Sequence, residues 1–348
     1  MQIRPPSSSR RVYLTLLCSL FATWASDPVH ADSVYPIAAA SRPVWIDTDP
    51  SVGDKDRDVD DGLALVQAFH SQELAIRGIS VVFGNAPLSA AVPIARALVE
   101  QFGPKGLAVY AGAAGAKERG APTPASEALA TALGREPLSV LLLGPATNLA
   151  TVLLTRPALA ARIRVVVAVA GRRPGQRFTT GTVNPRGHRD FNFEQDPEAF
   201  APLLAHRVPL VLTPFEISSQ IWLTPADLTG LAGGGAAGRY LAGPARSWLH
   251  LRQQVFQVDG FNPFDTLAVG YLTHPRWFAS TTLTASIEHH LDDVTEARMQ
   301  GSVMPDKPYL LVRAPAPPQS ATVEYCSSVH HDFKPELLRR LTAGATLQ

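Results

Sequence analysis

The chain has 348 residues, 46% hydrophobic and 18% charged, a composition that excludes disorder and collagen-like repeats and suffices for a large core. Lys and Arg number 31 against 30 Asp and Glu, a formal charge of +1, so an electrostatic grip on nucleic acid is excluded as the default reading. With 25 glycines and 30 prolines the chain is rich in loops, and recognition must come from particular sites.

Residues 1–31 read as an export signal, with Arg10-Arg11, an apolar stretch from Val12 to Ala25, and Val29-His30-Ala31 as a cleavage site before Asp32. That stretch is shorter than the roughly 20 residues of a membrane span, and no later segment qualifies, so no stable membrane anchor is expected. The mature protein is expected to be exported, periplasmic or secreted. Ser9 to Leu14 also resembles a twin-arginine signal, with Tyr13 an imperfect match, and ordinary secretion stays open. Cys18 lies in the signal, which leaves Cys326 alone and excludes an intramolecular disulfide or a thiolate zinc cluster. Cys326 reads as inert packing, although His330 and His331 follow it closely.

Residues 32–42 read as a flexible lead-in and 43–348 as a single domain, since no Pro-rich or charged linker interrupts the pattern. Apolar runs at Val44–Ile46, Ile79–Phe83, Val140–Leu143, Val165–Val169 and Val208–Leu212 predict buried strands. Gly62–His70, Ser89–Phe102, Thr147–Leu154 and Pro197–His206 have helical spacing. This alternation predicts an α/β fold, a mostly parallel central sheet with helices on both faces. Gly112–Ser126 and Thr229–Gly238 are expected as surface loops, and neither has the glycine spacing of a phosphate cradle.

The segment from Ile46 to Leu65 holds seven aspartates. Asp47 and Asp49 lie two apart at a strand end, hence on one face, while Asp60 and Asp61 begin a helix. Both pairs can converge at the carboxyl edge of the sheet, where ligands bind. Carboxylates this close cannot all ionise without a cation, and oxygen ligands with no cysteine nearby favour Ca²⁺ or Mg²⁺, with a flexible many-ligand site favouring Ca²⁺. Asp54, Asp56 and Asp58, interleaved with Lys55 and Arg57, read instead as a solvated acidic loop.

Asp47-Thr48-Asp49-Pro50 followed by Asp60-Asp61-Gly62-Leu63-Ala64-Leu65 resembles the Asp-x-Asp-Pro-Gly-x-Asp-Asp signature of the inosine-uridine-type nucleoside hydrolases, with a longer middle. Phe83-Gly84-Asn85, Leu143 to Asn148, Phe191-Asn192 leading to Asp196–Ala199, and Phe264 to Ala268 follow in that family's order. The resemblance implies a Ca²⁺-dependent hydrolase that releases base and ribose from ribonucleosides, a small-molecule substrate, and it is compatible with a homo-oligomer. It implies Asp49 as metal ligand and base for the attacking water, Asp61 and Asp265 as further ligands, and the Leu143 carbonyl as another. Asp60, Asn85 and Asn192 would hold the ribose 2′- and 3′-hydroxyls, with Thr182 and Asp190 standing where the family contacts the 5′-hydroxyl.

Departures accompany the resemblance. Phe264 stands where many members have a histidine that protonates the leaving base, and Gly181-Thr182-Val183 and Asp190-Phe191-Asn192 replace Gly-Asn-Val and Glu-Phe-Asn. Base departure could instead draw on His188, His250 or Arg252, or on stacking against Trp222, Trp248 or Phe261. Two other readings stay open. One is a haloacid-dehalogenase-type phosphatase using Asp47 and Asp49 with Asp292-Asp293 as late metal ligands. The other is a secreted nucleoside- or metal-binding homologue without catalysis.

Overall fold

Pro43 to Ile46 is buried on both faces, as an interior strand must be, and forms the middle of β1 (Arg42–Thr48). The computed structural model describes residues 41–53, 57–181, 183, 185–294, 305–314 and 321–343. The lead-in to residue 40, Asp54, Lys55, Asp56 and Thr182 therefore lie outside the described residues. After β1 the expected alternation follows, with α1 (Asp60–Phe69), β2 (Leu74–Val81), α2 (Leu88–Phe102), β3 (Val109–Ala111), α3 (Pro124–Arg135), β4 (Leu138–Leu142), α4 (Thr147–Thr155) and β5 (Ile163–Ala168). A short hairpin, β6 (Thr179–Thr180) with β7 (Arg186–Gly187), precedes α5 (Phe191–Gln195), α6 (Phe200–Ala205) and β8 (Leu210–Leu212). Four helices come next, α7 (Phe215–Ser218), α8 (Pro225–Ala232), α9 (Ala236–Phe256) and α10 (Phe264–Thr273). The chain then adds β9 (Phe278–Leu291), β10 (Asp306–Arg313), β11 (Thr322–Val329) and α11 (Phe333–Thr342).

The nine-stranded sheet runs β10-β9-β11-β8-β5-β4-β1-β2-β3. Every pair from β3 to β11 is parallel, and β9 is antiparallel to both of its neighbours. The chain builds outward from β1 through β2 and β3 on one side, then returns to lay β4, β5 and β8 on the other. The order thus reverses between β1 and β4, the crevice where open α/β sheets bind ligands beyond their carboxyl ends. Val44 and Ile46 pack into one core layer with α1 and α10, and Trp45 into the opposite layer with Leu129, Leu149 and Phe200. No described helix is long and apolar enough to cross a membrane.

Three expectations change. Thr229–Gly238 is mostly helical rather than a loop, because the Thr224 N–H and hydroxyl both donate to Asp227 Oδ2 and Pro225 opens α8, leaving only Gly233–Gly235 between α8 and α9. Gly112–Ser126 likewise gives up its last residues to α3, capped by Thr123 and Ser126. Asp47, on β1, instead gives its Oδ1 to a core hydrogen-bond network, while its buried Oδ2 has no partner among the described residues. Trp45 Nε1 donates to Ser80 Oγ at 2.8 Å, Ser80 Oγ donates to Asp47 Oδ1, and Asn148 Nδ2 donates to the same oxygen at 2.8 Å. Burial pushes the Asp47 carboxyl up to about 7.

A Cβ on Gly78 would overlap the Trp45 indole that anchors this network. Gly78→Ala is expected to destabilise the protein by roughly 1–3 kcal/mol through overpacking, read as a lower denaturant midpoint.

Candidate active site

The N-terminus of α1 is built from carboxylates. Asp58 Oδ1 accepts from the N–H groups of Val59 (2.7 Å) and Asp60 (3.3 Å), and Asp60 Oδ1 accepts from the Asp61 N–H at 3.1 Å. A helix N-terminus favours negative charge, which accounts for acidic residues in this first turn. All ten residues of α1 are buried, so Asp60 and Asp61 are held by the core. Asp58 lines the cavity, which corrects its reading as part of a solvated loop. Arg57 is exposed yet reaches across to donate to the Asn85 carbonyl.

Asp61 locks this turn to the end of β1. Its Oδ1 accepts from the Thr48 hydroxyl and, at 3.1 Å, from the Asp49 N–H. Asn85, just beyond β2, ties the two acids together. Its N–H donates to Asp49 Oδ2 at 2.7 Å and its Nδ2 to Asp61 Oδ2 at 3.2 Å. Two glycines make room for Asp49, since a Cβ on Gly84 would overlap Asp49 Oδ2 and one on Gly144 would sit 2.9 Å from Asp49 Cγ. Neither was singled out from the sequence, although both stand within its landmarks.

Asp265, in the first turn of α10, completes the group. Oxygens of Asp60, Asp61 and Asp265 lie within 4.8 Å of one another, and Asp265 Oδ2, fully buried, has no hydrogen-bond partner. Burial raises the carboxyls of Asp49, Asp60 and Asp265 far above the usual carboxylate range, and the negative charge of their neighbours raises them further. Burial pushes Asp61 to about 6. An unpartnered oxygen inside a shell of hard oxygen donors fits a divalent cation.

Beside this group opens a cavity of about 320 Å³. Asp58, Asp60, Asn85, the Leu143 region, Asp190, Asn192 and Asp265 line it, while Asp49 and Asp61 do not, being packed against Asn85. Asn192 Nδ2 donates to the Leu143 carbonyl at 2.7 Å. Asp190 Oδ2 accepts from the Gly171 N–H at 2.7 Å, and burial raises this acid to about 6. Phe178, Phe215, Phe264 and Trp248 supply aromatic lining together with His188 and Arg252. The His188 ring stacks on Phe256 at 4.8 Å and Phe215 at 5.8 Å.

Several sequence candidates fall elsewhere. His250 is exposed and contacts Gln254, Trp222 donates to the Ser219 carbonyl outside the cavity, and Phe261 is core. Asp292 and Asp293 pair with Arg189, Arg172 and Lys307, which removes the late ligands that the phosphatase reading needs. Cys326 is buried, and burial pushes its thiol up to about 12, as suits inert packing. Phe178, in a loop, and Phe215, opening the four-residue helix α7, carry no spacing in the sequence that points to the site.

In the cation-free protein each raised carboxyl keeps its proton at pH values where the unfolded chain has released it. Stability at Asp61 therefore falls as pH rises from about 4 to about 6, the more strongly raised Asp49, Asp60 and Asp265 extend the fall to higher pH, and a bound cation offsets the loss. The rise in Tm on adding a divalent cation is expected to grow across that window, measured by thermal unfolding with cation or chelator. A rise independent of pH would mean that the cation binds elsewhere.

The inosine-uridine preferring nucleoside hydrolase family matches residues 44–332. A non-specific ribonucleoside hydrolase, RihC, of Shigella flexneri serotype 5b is 27% identical over 272 residues, 71% of this chain and 84% of that protein. Among solved structures, the plant nucleoside hydrolase PpNRh1 superposes with a TM-score of 0.69 at 20% identity, covering 87% of this chain and 99% of that one. The purine-preferring ribonucleoside hydrolase of Gardnerella vaginalis gives 0.67 at 20% identity, covering 86% and 98%. With the match running from β1 past β11, and the aspartates that follow β1 and open α1 and α10 gathered at one sheet edge, the chain belongs to the inosine-uridine preferring nucleoside hydrolase family.

Proposed function

We propose that the protein hydrolyses the N-glycosidic bond of ribonucleosides to free base and ribose, with a Ca²⁺ ion held by Asp49, Asp61, Asp265 and the Leu143 carbonyl. The observation that carries this reading is the buried carboxylate group, with its unpartnered Asp265 oxygen, set beside an aromatic-lined cavity. When bound, the cation polarises a water and anchors sugar hydroxyls.

The chain's own groups supply the rest. Asp49, wedged by Gly84 and Gly144 and braced by Asn85, takes the proton of the attacking water. The carboxylates oppose the positive charge that develops on the ribosyl ring as the base departs. Asp60, Asn85 and Asn192, all on the cavity wall, grip the sugar hydroxyls. Phe264 has no proton to give and lies beside Phe215, the rings tilted with centroids 5.9 Å apart, so it offers the base an apolar face.

Purified protein incubated with inosine, uridine, adenosine, guanosine and cytidine is expected to release base and ribose with Ca²⁺ and to stop with chelator. Asp49→Ala is expected to lower kcat by about 10³-fold or more. Release from none of the five, with metal bound, would overturn the reading in favour of a binding homologue. Asp60→Asn separates sugar contact from metal ligation. A higher KM with the cation-induced Tm shift retained is expected, whereas loss of that shift would place Asp60 among the ligands.

We further propose that this activity lies outside the cytoplasm, a reading supported by the export signal in the sequence of residues 1–31. N-terminal sequencing of protein recovered from the cell exterior or periplasm is expected to begin at Asp32, and recovery of an uncleaved chain from the cytoplasm would refute this.

A further inference from the structure

The cavity holds charges of both signs. Carboxylates and amides share its wall with a buried arginine. Arg252, from the last turns of α9, is 6% exposed, and no carboxylate makes an ion pair with it among the described residues. Its Cζ lies 4.0 Å over the Phe256 ring and 5.7 Å from that of Trp248. Its Nε has no hydrogen-bond partner, and Nη2 makes one long contact, 3.5 Å, to the Thr180 hydroxyl. A buried guanidinium with unused donors is costly unless a ligand completes it. The field of Asp58 and Asp60 helps to hold the charge there.

We propose that Arg252 is the catalytic residue that receives the departing base, hydrogen-bonding it and stabilising the negative charge left on it. This rests on the N-riboside hydrolysis reading and supplies what Phe264 cannot. As the C–N bond breaks, its electron pair leaves on the base nitrogen beside the guanidinium. The water oxygen bonds to the sugar carbon and its proton passes to Asp49. The base anion then takes a proton from solvent, and Arg252 keeps its own throughout. His188 shares the Phe256 ring, and burial next to Arg252 pushes it down to about 4, so it is neutral at pH 7. Its unpartnered Nε2 is a hydrogen-bonding site for the base, not the source of a proton.

The test compares inosine and uridine with p-nitrophenyl riboside, whose phenolate departs without assistance. Arg252→Ala is expected to lower kcat on both nucleosides about 10²-fold while leaving p-nitrophenyl riboside within a few-fold of wild type. Added guanidinium is expected to restore part of the loss. Equal loss on both kinds of substrate, or no loss on nucleosides, overturns the assignment. Should Arg252→Ala fail to fold, Arg252→Lys, which keeps the charge without the fork, is judged by the same substrate difference. Wild type that cleaves neither kind of substrate would refute the hydrolase reading itself, an outcome distinct from failure of the Arg252 role.

Discussion

Asp49, Asp60, Asp61 and Asp265 place four acidic side chains in one dry corner of the protein, each raising the cost of ionising the others. Hydrogen bonds from Thr48, Asn85 and the Asp49 N–H relieve part of that repulsion, yet one oxygen of Asp265 has no partner among the described residues. The corner is stable only when protonated or when a cation is present, and the second option turns an electrostatic liability into a means of activating water. The remaining architecture serves to hold these groups together despite their repulsion.

That holding is done by backbone. The reversal of strand order between β1 and β4 opens a crevice at the carboxyl edge, and the segments after β1, β2, β4, β5 and β8 all deliver residues to it. Glycines at 84 and 144 let two loops close on Asp49, and Asn192 reaches from α5 to the Leu143 carbonyl. On the far side of the site, Lys307 on β10 binds Glu194 at 2.7 Å and Asp293 at 2.9 Å. The antiparallel strands thereby brace α5, the helix that carries Asn192.

The parallel half of the fold was legible because β1, β4 and β5 are apolar on both faces, a pattern with few other readings. Strands β9 to β11 were not, since β9 exposes much of its length and its Ser, Thr, Glu and His residues carry no apolar run. Helix α9 hid behind Gly238, Gly243 and an interior Pro244, residues that argue locally against the helix that tertiary packing produces. In the site, the acids could be read from their order and spacing. Alternation put Asp47 and Asp49 on one face but could not give their depth, and one strand residue separates a core hydrogen-bond network from the acid group beside the cavity. The aromatic lining comes from a loop and three helices far apart in sequence, Phe178 before β6, Phe215 on α7, Trp248 on α9 and Phe264 on α10, so no local pattern announces it.

Helix α1 shows solvent no face along its ten residues. Its amides can exchange with water only through openings that also disrupt the surrounding core, so it belongs to the slowest-opening part of the molecule. Because Asp60 and Asp61 ride on that helix, the ion site has no separate hinge by which to loosen. An ion reaching the acids through the cavity beside them would therefore meet carboxylates already held in place, by the same core packing that keeps α1 closed.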